Sequence, residues 1–383
     1  MSIVTAIQNA RNKIANAYAK VEEMGGTLPT VQNLNNLPSA IESVTTMDPL
    51  IDGSVTEIDT AVSSIRGGAF ANCSNLTSVT LRSNTVVDLS DGTIFENTPI
   101  ASKTGNVYVP EDLLMQYLAK SYAWSTPTTY SALTNDFWEA LSYDGTKFVA
   151  LGERGTVAAT TDGVNWEDVI HLPERYWQAM VYNGSMFVAI GSTGYFATSP
   201  DGINWYNVSS SGNLGQNQWR SLTYGKGALL SSPIFVALGF DGFISTSTDG
   251  VNWTEATRKL PALATSVGWQ AISCDGKKFV AISEEGHIST SPDGNVWTSS
   301  GTTPLRECQD IVYDGTKFIA LNRLGQTAIS LDGLGWYLVQ ASLSYSVDEW
   351  ESLTSNGSKL MALGRRGHVS MSTFLLNILP ISE

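Results

Sequence analysis

Short apolar segments alternate with glycine-containing turns along the C-terminal two-thirds of the chain. The stretch from Phe137 to Val169 contains four such segments, WEALSY, KFVALG, TVAAT and NWEDV. They are separated by Asp-Gly and Gly-Glu-Arg-Gly sequences, which suit hairpin turns because glycine and aspartate tolerate a positive φ. The pattern therefore predicts a small antiparallel sheet of four strands.

The same pattern occurs six times. Five copies open at a tryptophan and one at a cysteine: Trp138, Trp177, Trp219, Trp269, Cys308 and Trp350. The copies begin 39, 42, 50, 39 and 42 residues apart, which is the period of propeller blades or solenoid units. Because one such sheet cannot bury both of its faces, six of them close most simply around an axis. The sequence predicts a mainly β protein with a six-bladed β-propeller at residues 132–383.

A second motif, (Ser/Thr)-x-Asp-Gly-x-x-Trp, lies near the end of five copies. It spans Thr160 to Trp166, Ser199 to Trp205, Ser247 to Trp253, Ser291 to Trp297 and, in a looser form, Ser330 to Trp336. It resembles the Asp-box of sialidase-type (BNR) repeats, with one residue fewer between Asp and Trp. The sixth copy lacks the motif, and Leu375 to Leu379 is predicted to be its outer strand, so that no strand is needed from the N-terminal side.

The aspartates of this motif have two interpretations, as acid/base groups or as turn-stabilising residues. The second is favoured, because an aspartate before glycine hydrogen-bonds its own backbone amides and five blades repeat it. The tryptophans of the motif and those that open the copies are predicted to fill the spaces between blades. The aspartates concerned are Asp162, Asp201, Asp249, Asp293 and Asp332.

The resemblance to sialidases does not extend to catalytic residues. Sialidases hold the substrate carboxylate with three arginines from different blades, and no inner-strand position supplies three here. A glycoside hydrolase also needs two facing carboxylates, and the sequence alone selects no pair. His287 and His368 occupy equivalent positions after a turn glycine, but a metal site would need them to converge with a third ligand. We therefore predict no catalytic residues, no metal and no cofactor.

At the N-terminus, apolar residues are spaced alternately by four and three positions, as in a heptad seam. Two interpretations are open: a helix that packs on its own domain, and a coiled coil that joins several copies. The second is favoured, with a homotrimer expected. The seam positions are Ile3, Ile7, Ala10, Ile14, Ala17, Val21 and Met24.

Residues 1–45 combine this helix with GGTLP and NLNNLPSAIESV. The combination resembles the N-terminal module of many tail-fibre and baseplate-attached proteins of bacteriophages. The resemblance implies an oligomerising segment that attaches the protein to the virion.

Residues 46–131 follow a different pattern, with Ile65, Ala69-Phe70, Cys73, Leu76, Val79 and Leu81 at its apolar positions. This resembles a BspA-type leucine-rich repeat, and Ile94 to Ile100 resembles a second, degenerate copy. Fewer than three repeats bury little on their own. The segment is therefore predicted to be a small leucine-rich-repeat spacer domain in which Cys73 is a core thiol.

The composition limits the classes of partner that we expect for this protein. With 22 basic and 36 acidic residues the net charge is −14, and no cluster of Lys and Arg is longer than a pair, so a nucleic-acid partner is not expected. The three cysteines show no pairing or zinc-binding pattern. Neither a signal peptide nor a transmembrane segment is predicted.

One face of the predicted propeller varies more than the other. In a four-stranded blade the first and third turns lie on one face, and the second turns and blade-to-blade loops on the other. Binding sites tend to lie on loops held by a rigid scaffold, so the variable second-turn face is the predicted receptor site, although drift of surface turns would give the same variation. Its candidate residues are Glu153, Arg154, Thr193, Tyr195, Phe240, Asp241, Glu285, His287, Arg323, Arg365, Arg366 and His368.

The order of the three parts suggests a non-enzymatic virion appendage, a tail or head fibre protein of a bacteriophage. Its propeller would bind a glycan or protein on the host cell surface, and its N-terminus would dock on the tail, baseplate or head. Several weak sites in one oligomer would bind strongly together. Two alternatives stay open: a glycan-cleaving fibre enzyme, and a structural decoration or capping protein of the virion.

Overall fold

The computed structural model describes residues 14–19, 21, 57–60, 64–65, 67–89, 91, 93–102, 104–120, 122–133, 136–210, 213–263, 268–339, 342–343, 349–357, 359–374 and 378–381. These residues belong to two compact units. One unit combines Met1–Ser121 with Phe374–Glu383, and the other is Tyr122–Thr373. The sequence placed the propeller at residues 132–383, so the second unit begins earlier and ends earlier than predicted.

The second unit is a six-bladed β-propeller. Its first five blades are antiparallel sheets of four consecutive strands, which confirms the predicted four-stranded repeat. Blade 1 contains β6 (Trp138–Tyr143), β7 (Phe148–Gly152), β8 (Thr156–Thr160) and β9 (Glu167–His171). Blade 2 contains β10 (Trp177–Tyr182), β11 (Phe187–Gly191), β12 (Tyr195–Ser199) and β13 (Tyr206–Ser210). Blade 3 contains β14 (Trp219–Gly225), β15 (Ile234–Gly239), β16 (Phe243–Ser247) and β17 (Thr257–Arg258).

The remaining blades follow the same order. Blade 4 contains β18 (Trp269–Cys274), β19 (Phe279–Ser283), β20 (His287–Ser291) and β21 (Thr298–Thr302). Blade 5 contains β22 (Cys308–Tyr313), β23 (Phe318–Asn322), β24 (Thr327–Ser330) and β25 (Tyr337–Leu338). The strands of blade 6 that continue the repeat are β26 (Trp350–Ser355), β27 (Leu360–Gly364) and β28 (His368–Phe374).

The outer edge of blade 6 is completed by residues that precede blade 1. The strands β4 (Tyr122–Trp124) and β5 (Thr128–Thr129) both lie beside β28, with Thr128 opposite Val369. The backbone N–H of Ser125 also donates to the carbonyl of Met371 at 2.9 Å. The prediction that Leu375 to Leu379 forms this outer strand, with nothing from the N-terminal side, is therefore wrong. The contribution ties the two ends of the propeller together and covers an otherwise unpaired sheet edge.

The opening tryptophans fill the spaces between neighbouring blades, as predicted. Trp177 is completely buried in a cluster that joins Val149 and Leu151 of blade 1 to Phe187 of blade 2. Its indole N–H donates to the carbonyl of Pro173 at 2.9 Å, so the polar atom of the ring is also satisfied. Equivalent clusters surround Trp138, Trp219, Trp269 and Cys308.

The first unit contains a parallel sheet with the order β1 (Glu57–Thr60), β2 (Ser78–Leu81), β3 (Asn106–Val109) and β29 (Ile378–Pro380). The 3-10 turn Glu111–Leu113 and the helix Leu114–Lys120 follow β3. The chain thus leaves the propeller after β28 and adds its last described strand to this sheet. Ile378 joins a core that contains Cys73, Leu76 and Val79, and Cys73 is a buried core thiol. The leucine-rich-repeat assignment stays a prediction.

Part of the N-terminal heptad seam is described. Residues 14–19 and 21 are helical, and Val21 is completely buried within a single chain while Ile14 and Ala17 are half-buried. The seam positions Ile3, Ile7, Ala10 and Met24 lie outside the described residues. The buried Val21 fits the interpretation in which the helix packs on its own unit, and the coiled coil stays a prediction.

Candidate functional site

The six inner strands surround a channel along the propeller axis. A cavity of about 150 Å³ is lined by residues of all six, from Glu139 in blade 1 to Glu351 in blade 6. The strands involved are β6, β10, β14, β18, β22 and β26. Every blade therefore contributes side chains to one shared space.

A β-bulge shapes the start of each inner strand. Trp138 is paired with Gly152, but Ala140 is paired with Leu151, so that Glu139 is the extra residue. The same shift occurs in all six blades. Because a bulge re-aims a side chain, a polar residue can face the channel directly after a buried aromatic one. We call these six lining residues the inner ring: Glu139, Gln178, Arg220, Gln270, Gln309 and Glu351.

A circle of backbone hydrogen bonds surrounds the same end of the channel. In blade 1 the N–H of Glu153 donates to the carbonyl of Phe137 at 2.7 Å, and the carbonyl of Glu153 accepts from the N–H of Trp177 at 2.9 Å. This pair of bonds recurs in every blade, and the N–H of Trp138 closes the circle on the carbonyl of Arg365. The residues at these turns form what we call the turn ring: Glu153, Ser192, Phe240, Glu284, Arg323 and Arg365. The inner ring and the turn ring together form the channel mouth.

The most highly charged part of the mouth lies where blade 6 meets blade 1. Arg365 Nη2 is 3.5 Å from Glu139 Oε1 and 3.7 Å from Glu153 Oε2, and Arg365 Nη1 is 3.8 Å from Glu351 Oε1. The side chains of Glu139 and Glu351 are only 10% and 9% exposed. The guanidinium also lies over the ring of Phe137, 5.2 Å from its centroid. One cation thus faces three carboxylates.

Burial changes the acidity of the two inner-ring glutamates. Desolvation raises the pKa of Glu139 well above its usual range, and the negative charge of Glu351 raises it further. Desolvation also raises the pKa of Glu351, although Arg365 opposes the change. Both carboxyl groups therefore exchange protons near neutral pH, which ordinary glutamates do not.

Two further arginines of the mouth are hydrogen-bonded to inner-ring amides. Arg220 Nη1 donates to Gln178 Oε1 at 2.9 Å and the guanidinium lies 5.5 Å from the centroid of Phe240. With its amide oxygen turned toward Arg323, Gln309 accepts from Nη2 at 3.0 Å and from Nε at 3.1 Å. Both arginines are thereby held beside neutral amide partners.

Below the inner ring, side chains link neighbouring inner strands. Ser221 Oγ accepts from the N–H of Ile272 at 3.1 Å, and Ser352 Oγ accepts from the N–H of Leu141 at 3.0 Å. Asp310 takes the equivalent place and accepts from the N–H of Leu353 at 2.7 Å. Burial raises the pKa of Asp310 to about 6 despite these hydrogen bonds. The role of Asp310 is therefore explained by blade-to-blade packing.

The predicted receptor residues divide into two groups. Glu153, Phe240, Arg323 and Arg365 belong to the turn ring and lie at the mouth. The others lie around the mouth or farther out. Arg154 stacks on Phe137, and the guanidinium of Arg175 lies 4.5 Å from the centroid of the Tyr195 ring. Asp241 forms an ion pair with Arg258 of an outer strand. His287 and His368 begin third strands and do not line the channel, and Thr193, Glu285 and Arg366 do not line it either.

The sequence prediction missed the inner ring. Glu139 and Glu351 follow an opening tryptophan, where every copy of the repeat carries a charged or amide residue. An invariably polar position inside a strand that is otherwise apolar is a detectable signal. It would have pointed to the channel lining.

The Asp-Gly motifs form turns on the opposite face, and the prediction that they stabilise those turns is confirmed. Asp201 Oδ1 accepts from the N–H groups of Ile203 and Asn204 at 2.9 and 2.7 Å and from Ser199 Oγ at 3.1 Å. Burial alone would raise the pKa of Asp201, but these hydrogen bonds outweigh it and bring the pKa to about 2. The carboxylate is fully engaged with its own turn. Asp162, Asp249, Asp293 and Asp332 make the equivalent bonds.

Within the described part of the chain, no three His, Cys, Asp or Glu side chains are grouped so that they could hold a metal ion. The described helices include none that is long and apolar enough to cross a bilayer. Cys73, Cys274 and Cys308 form no disulfide with one another. Burial raises the pKa of the Cys308 thiol to about 12, so this side chain is an apolar core group.

Comparison with known proteins gives information on the fold alone. The chain matches no protein family model and no curated protein. A protein of unknown function from Bacteroides thetaiotaomicron has a similar structure, with a TM-score of 0.51 and 10% identity over 66% of this chain and 76% of that chain. Virginiamycin B lyase from Staphylococcus aureus matches with a TM-score of 0.47 and 9% identity, over 66% of this chain and 99% of that chain. YCF48 bound to D1 peptide matches with a TM-score of 0.44 and 15% identity, over 66% of this chain and 97% of that chain.

Proposed function

We propose that the protein is a non-enzymatic virion appendage whose propeller binds a glycan on the host cell surface at the channel mouth. The N-terminal segment docks on the tail, baseplate or head of a phage particle and joins the chains into a homotrimer. The leucine-rich-repeat segment spaces the two. The resemblance of residues 1–45 to tail-fibre modules supports the setting, and the chemistry of the mouth supports the binding role.

One observation carries the binding role: exposed aromatic rings stand beside charged groups around a rigid opening. Phe137 and Tyr176 are 40% and 55% exposed although both are large and apolar. Their carbonyls accept turn-ring hydrogen bonds, which fixes both residues at the mouth. Rings that can stack on a ligand, next to groups that can hydrogen-bond it, are the usual composition of a recognition site.

The binding role can be tested with labelled full-length protein and a panel of intact bacterial strains. We expect wild-type protein to bind at least one strain, and Phe137→Ala or Tyr176→Asn to lower the binding at least tenfold. Asparagine suits position 176 because the backbone there has a φ of 52°. The matched control is Tyr206→Asn, which removes a tyrosine of similar exposure, 56%, from an outer strand.

If Tyr206→Asn weakens binding as much as Tyr176→Asn, the mouth is not the site. If both mouth variants leave adsorption unchanged on a strain that wild-type protein binds, the structural decoration alternative replaces receptor binding. The solution mass of the full chain, measured by light scattering against that of a chain beginning at residue 46, tests the homotrimer.

A glycan-cleaving activity is the second candidate, and the pair Glu139 and Glu351 favours it. Glycosidases use one carboxyl group that stays protonated near neutral pH and a second carboxylate. The raised pKa of both side chains meets the first requirement. Incubation of the protein with a panel of polysaccharides, followed by a reducing-end assay, tests this. Turnover that is lost in Glu139→Gln would establish the enzyme, and absence of any product on a glycan that the protein binds would exclude it.

A further inference from the structure

Two oxygen atoms at the mouth are buried without a hydrogen bond. Oε1 of Glu139 and Oε1 of Glu351 have no solvent exposure of note and no donor among the described residues. Each belongs to a side chain that is nine-tenths buried and lines the channel. Buried polar atoms in proteins are nearly always paired, and leaving one unpaired costs about 1–3 kcal/mol. Two neighbouring orphan acceptors indicate that a donor is missing.

Arg365 does not supply that donor. Its closest approach to either oxygen is 3.5 Å, which is an ion-pair distance and too long for a good hydrogen bond. The same guanidinium is shared with Glu153 at 3.7 Å and is itself 36% exposed. One guanidinium therefore faces three carboxyl groups, and none of the three is hydrogen-bonded to it.

The other charged groups near the pair do not change this balance. Glu349 adds a further negative charge that acts on Glu351. Arg220 and Arg323 also act on Glu351, but Arg220 Nη1 donates to Gln178 and Arg323 Nη2 and Nε donate to Gln309, while Arg220 Nε is buried without an acceptor. Between blades 6 and 1, three carboxyl groups thus lie around the single guanidinium of Arg365, and two of their oxygens have no hydrogen-bond donor.

We propose that the mouth between blades 6 and 1 binds an organic ammonium group, held by Glu139 and Glu351. This inference deepens the proposed function and rests on it: the receptor would be a glycan that carries a free, protonated amine. An ammonium group has three donors and no acceptor, which matches two orphan carboxylate oxygens. The cavity of about 150 Å³ admits such a group with its carbon atom and a few waters.

The experiment uses n-butylammonium as the probe and n-butanol as its uncharged counterpart. Binding of each to the full chain is measured by saturation-transfer NMR at a pH near 8. We expect butylammonium to bind and butanol to give at most a tenth of its affinity. Glu139→Gln and Glu351→Gln should each weaken butylammonium at least tenfold. Lys277→Ala, an exposed change on the opposite face, should leave its affinity unchanged.

Two further measurements separate binding from a loss of folding. Arg365→Met removes the competing cation but also a charge that lowers the pKa of both glutamates, so the affinity for butylammonium should rise severalfold at about pH 9, where the glutamates are ionised. The affinity of the wild-type protein should also rise between about pH 6 and pH 9, because Glu139 and Glu351 lose protons while an alkylammonium, with a pKa of about 10, keeps its own. Equal binding of butanol and butylammonium, or weaker binding of butylammonium by Arg365→Met than by the wild type at about pH 9, would overturn the proposal.

The outcome for this proposal is distinct from that for receptor binding. If Phe137→Ala abolishes adsorption to cells while butylammonium does not bind, the mouth is a receptor site for a ligand without an amine. If butylammonium binds as expected but no mouth variant changes adsorption, the cation site exists and the receptor role fails.

Discussion

Arg365 Nη2 lies 3.5 Å from Glu139 Oε1, so the last blade of the propeller and the first share an ion pair at the channel mouth. The pair is only one part of a larger charge imbalance, because Glu153 and Glu351 compete for the same guanidinium. Burial raises the pKa of Glu139 and Glu351, so the folded protein holds protons on these carboxyl groups at a higher pH than the unfolded chain does. That has a measurable effect on stability.

Replacing Glu139 by glutamine should stabilise the protein at alkaline pH and not at acid pH. The pKa of Glu139 is raised in the folded state, so the folded protein holds more protons than the unfolded chain above the ordinary glutamate pKa. The free energy of unfolding of the wild type therefore falls as pH rises, by about 1.4 kcal/mol per unit of raised pKa. Glutamine does not ionise, so the Glu139→Gln variant does not lose this stability as the pH rises.

The test is thermal unfolding followed by circular dichroism at about pH 4 and about pH 8.5. The variant should match the wild type at the lower pH and unfold about 2–4 °C higher for each kcal/mol gained at the upper pH. Glu285→Gln, with an exposed side chain on a turn of blade 4, serves as the control and should show no such divergence. Parallel curves for Glu139→Gln and wild type would mean that burial does not raise this pKa.

Asp310→Ser should stabilise the propeller above pH 6. Serine can accept the hydrogen bond from the N–H of Leu353, as Ser221 does from Ile272, without a charge to desolvate. Burial raises the pKa of the wild-type Asp310 carboxyl to about 6. The wild-type protein therefore loses stability as the pH rises from the usual aspartate range to that value.

Asp310→Ala is the matched comparison for this substitution. It leaves the N–H of Leu353 without its acceptor and should be about 1–3 kcal/mol less stable than Asp310→Ser in urea unfolding. Equal stability of the serine and alanine variants would contradict the blade-linking role of this position.

Gly202→Ala should destabilise the propeller more than Gly184→Ala. Both glycines have a positive φ, 71° and 94°, and lie in turns of blade 2. A Cβ at 202 would be 2.8 Å from Val149 Cγ2 of blade 1, whereas a Cβ at 184 would meet nothing within 4 Å. A Cβ at 202 would also be 3.1 Å from Phe187 Cε2, so the difference reports the packing of an Asp-Gly turn between blades 1 and 2, and overpacking of this kind costs about 1–3 kcal/mol. Midpoints of urea unfolding give the comparison.

Cysteines at positions 129 and 368 should form a disulfide in the oxidised protein. Thr129 and His368 are paired across β5 and β28. Antiparallel partners have Cα atoms about 4.5–5.5 Å apart, which a disulfide can span. Closing so long a loop should stabilise the protein by up to about 4–5 kcal/mol.

Peptide mapping by mass spectrometry checks this crosslink, with Thr129→Cys and His368→Cys alone as controls. The native thiols should not interfere, since Cys308 is buried and desolvation raises the pKa of Cys274 to about 11. If the outer strand of blade 6 came from Leu375 to Leu379, as the sequence predicted, position 129 would not reach position 368 and no crosslink would form.

The repeat could be predicted from the sequence because its signals are local. Each hairpin is set by a turn of a few residues, and the predicted segment WEALSY coincides with β6 (Trp138–Tyr143). The outer strand of blade 6 could not be predicted in this way. It pairs Thr128 with Val369, which are separated in sequence by almost the whole propeller. No short-range pattern distinguishes that partner from the apolar segment Leu375 to Leu379.

The candidate site was predicted in part. The variable second turns were selected from the sequence, and two of their residues, Glu153 and Arg365, lie together at the channel mouth. Glu139 and Glu351 are 212 residues apart in the sequence, and their significance depends on closure of the propeller, which buries both next to one guanidinium. Neither the burial nor the shared partner is visible in either strand alone.

The circle of hydrogen bonds around the mouth uses backbone atoms only. Almost any side chain can therefore occupy a turn-ring position without weakening the circle, and the six present residues already range from Phe240 to Arg365 in chemistry. If the mouth is the receptor site proposed above, stability and specificity are encoded in different atoms. A lineage under pressure to recognise a changing target could replace these residues one at a time, and a protein engineer could randomise all six on an unaltered frame.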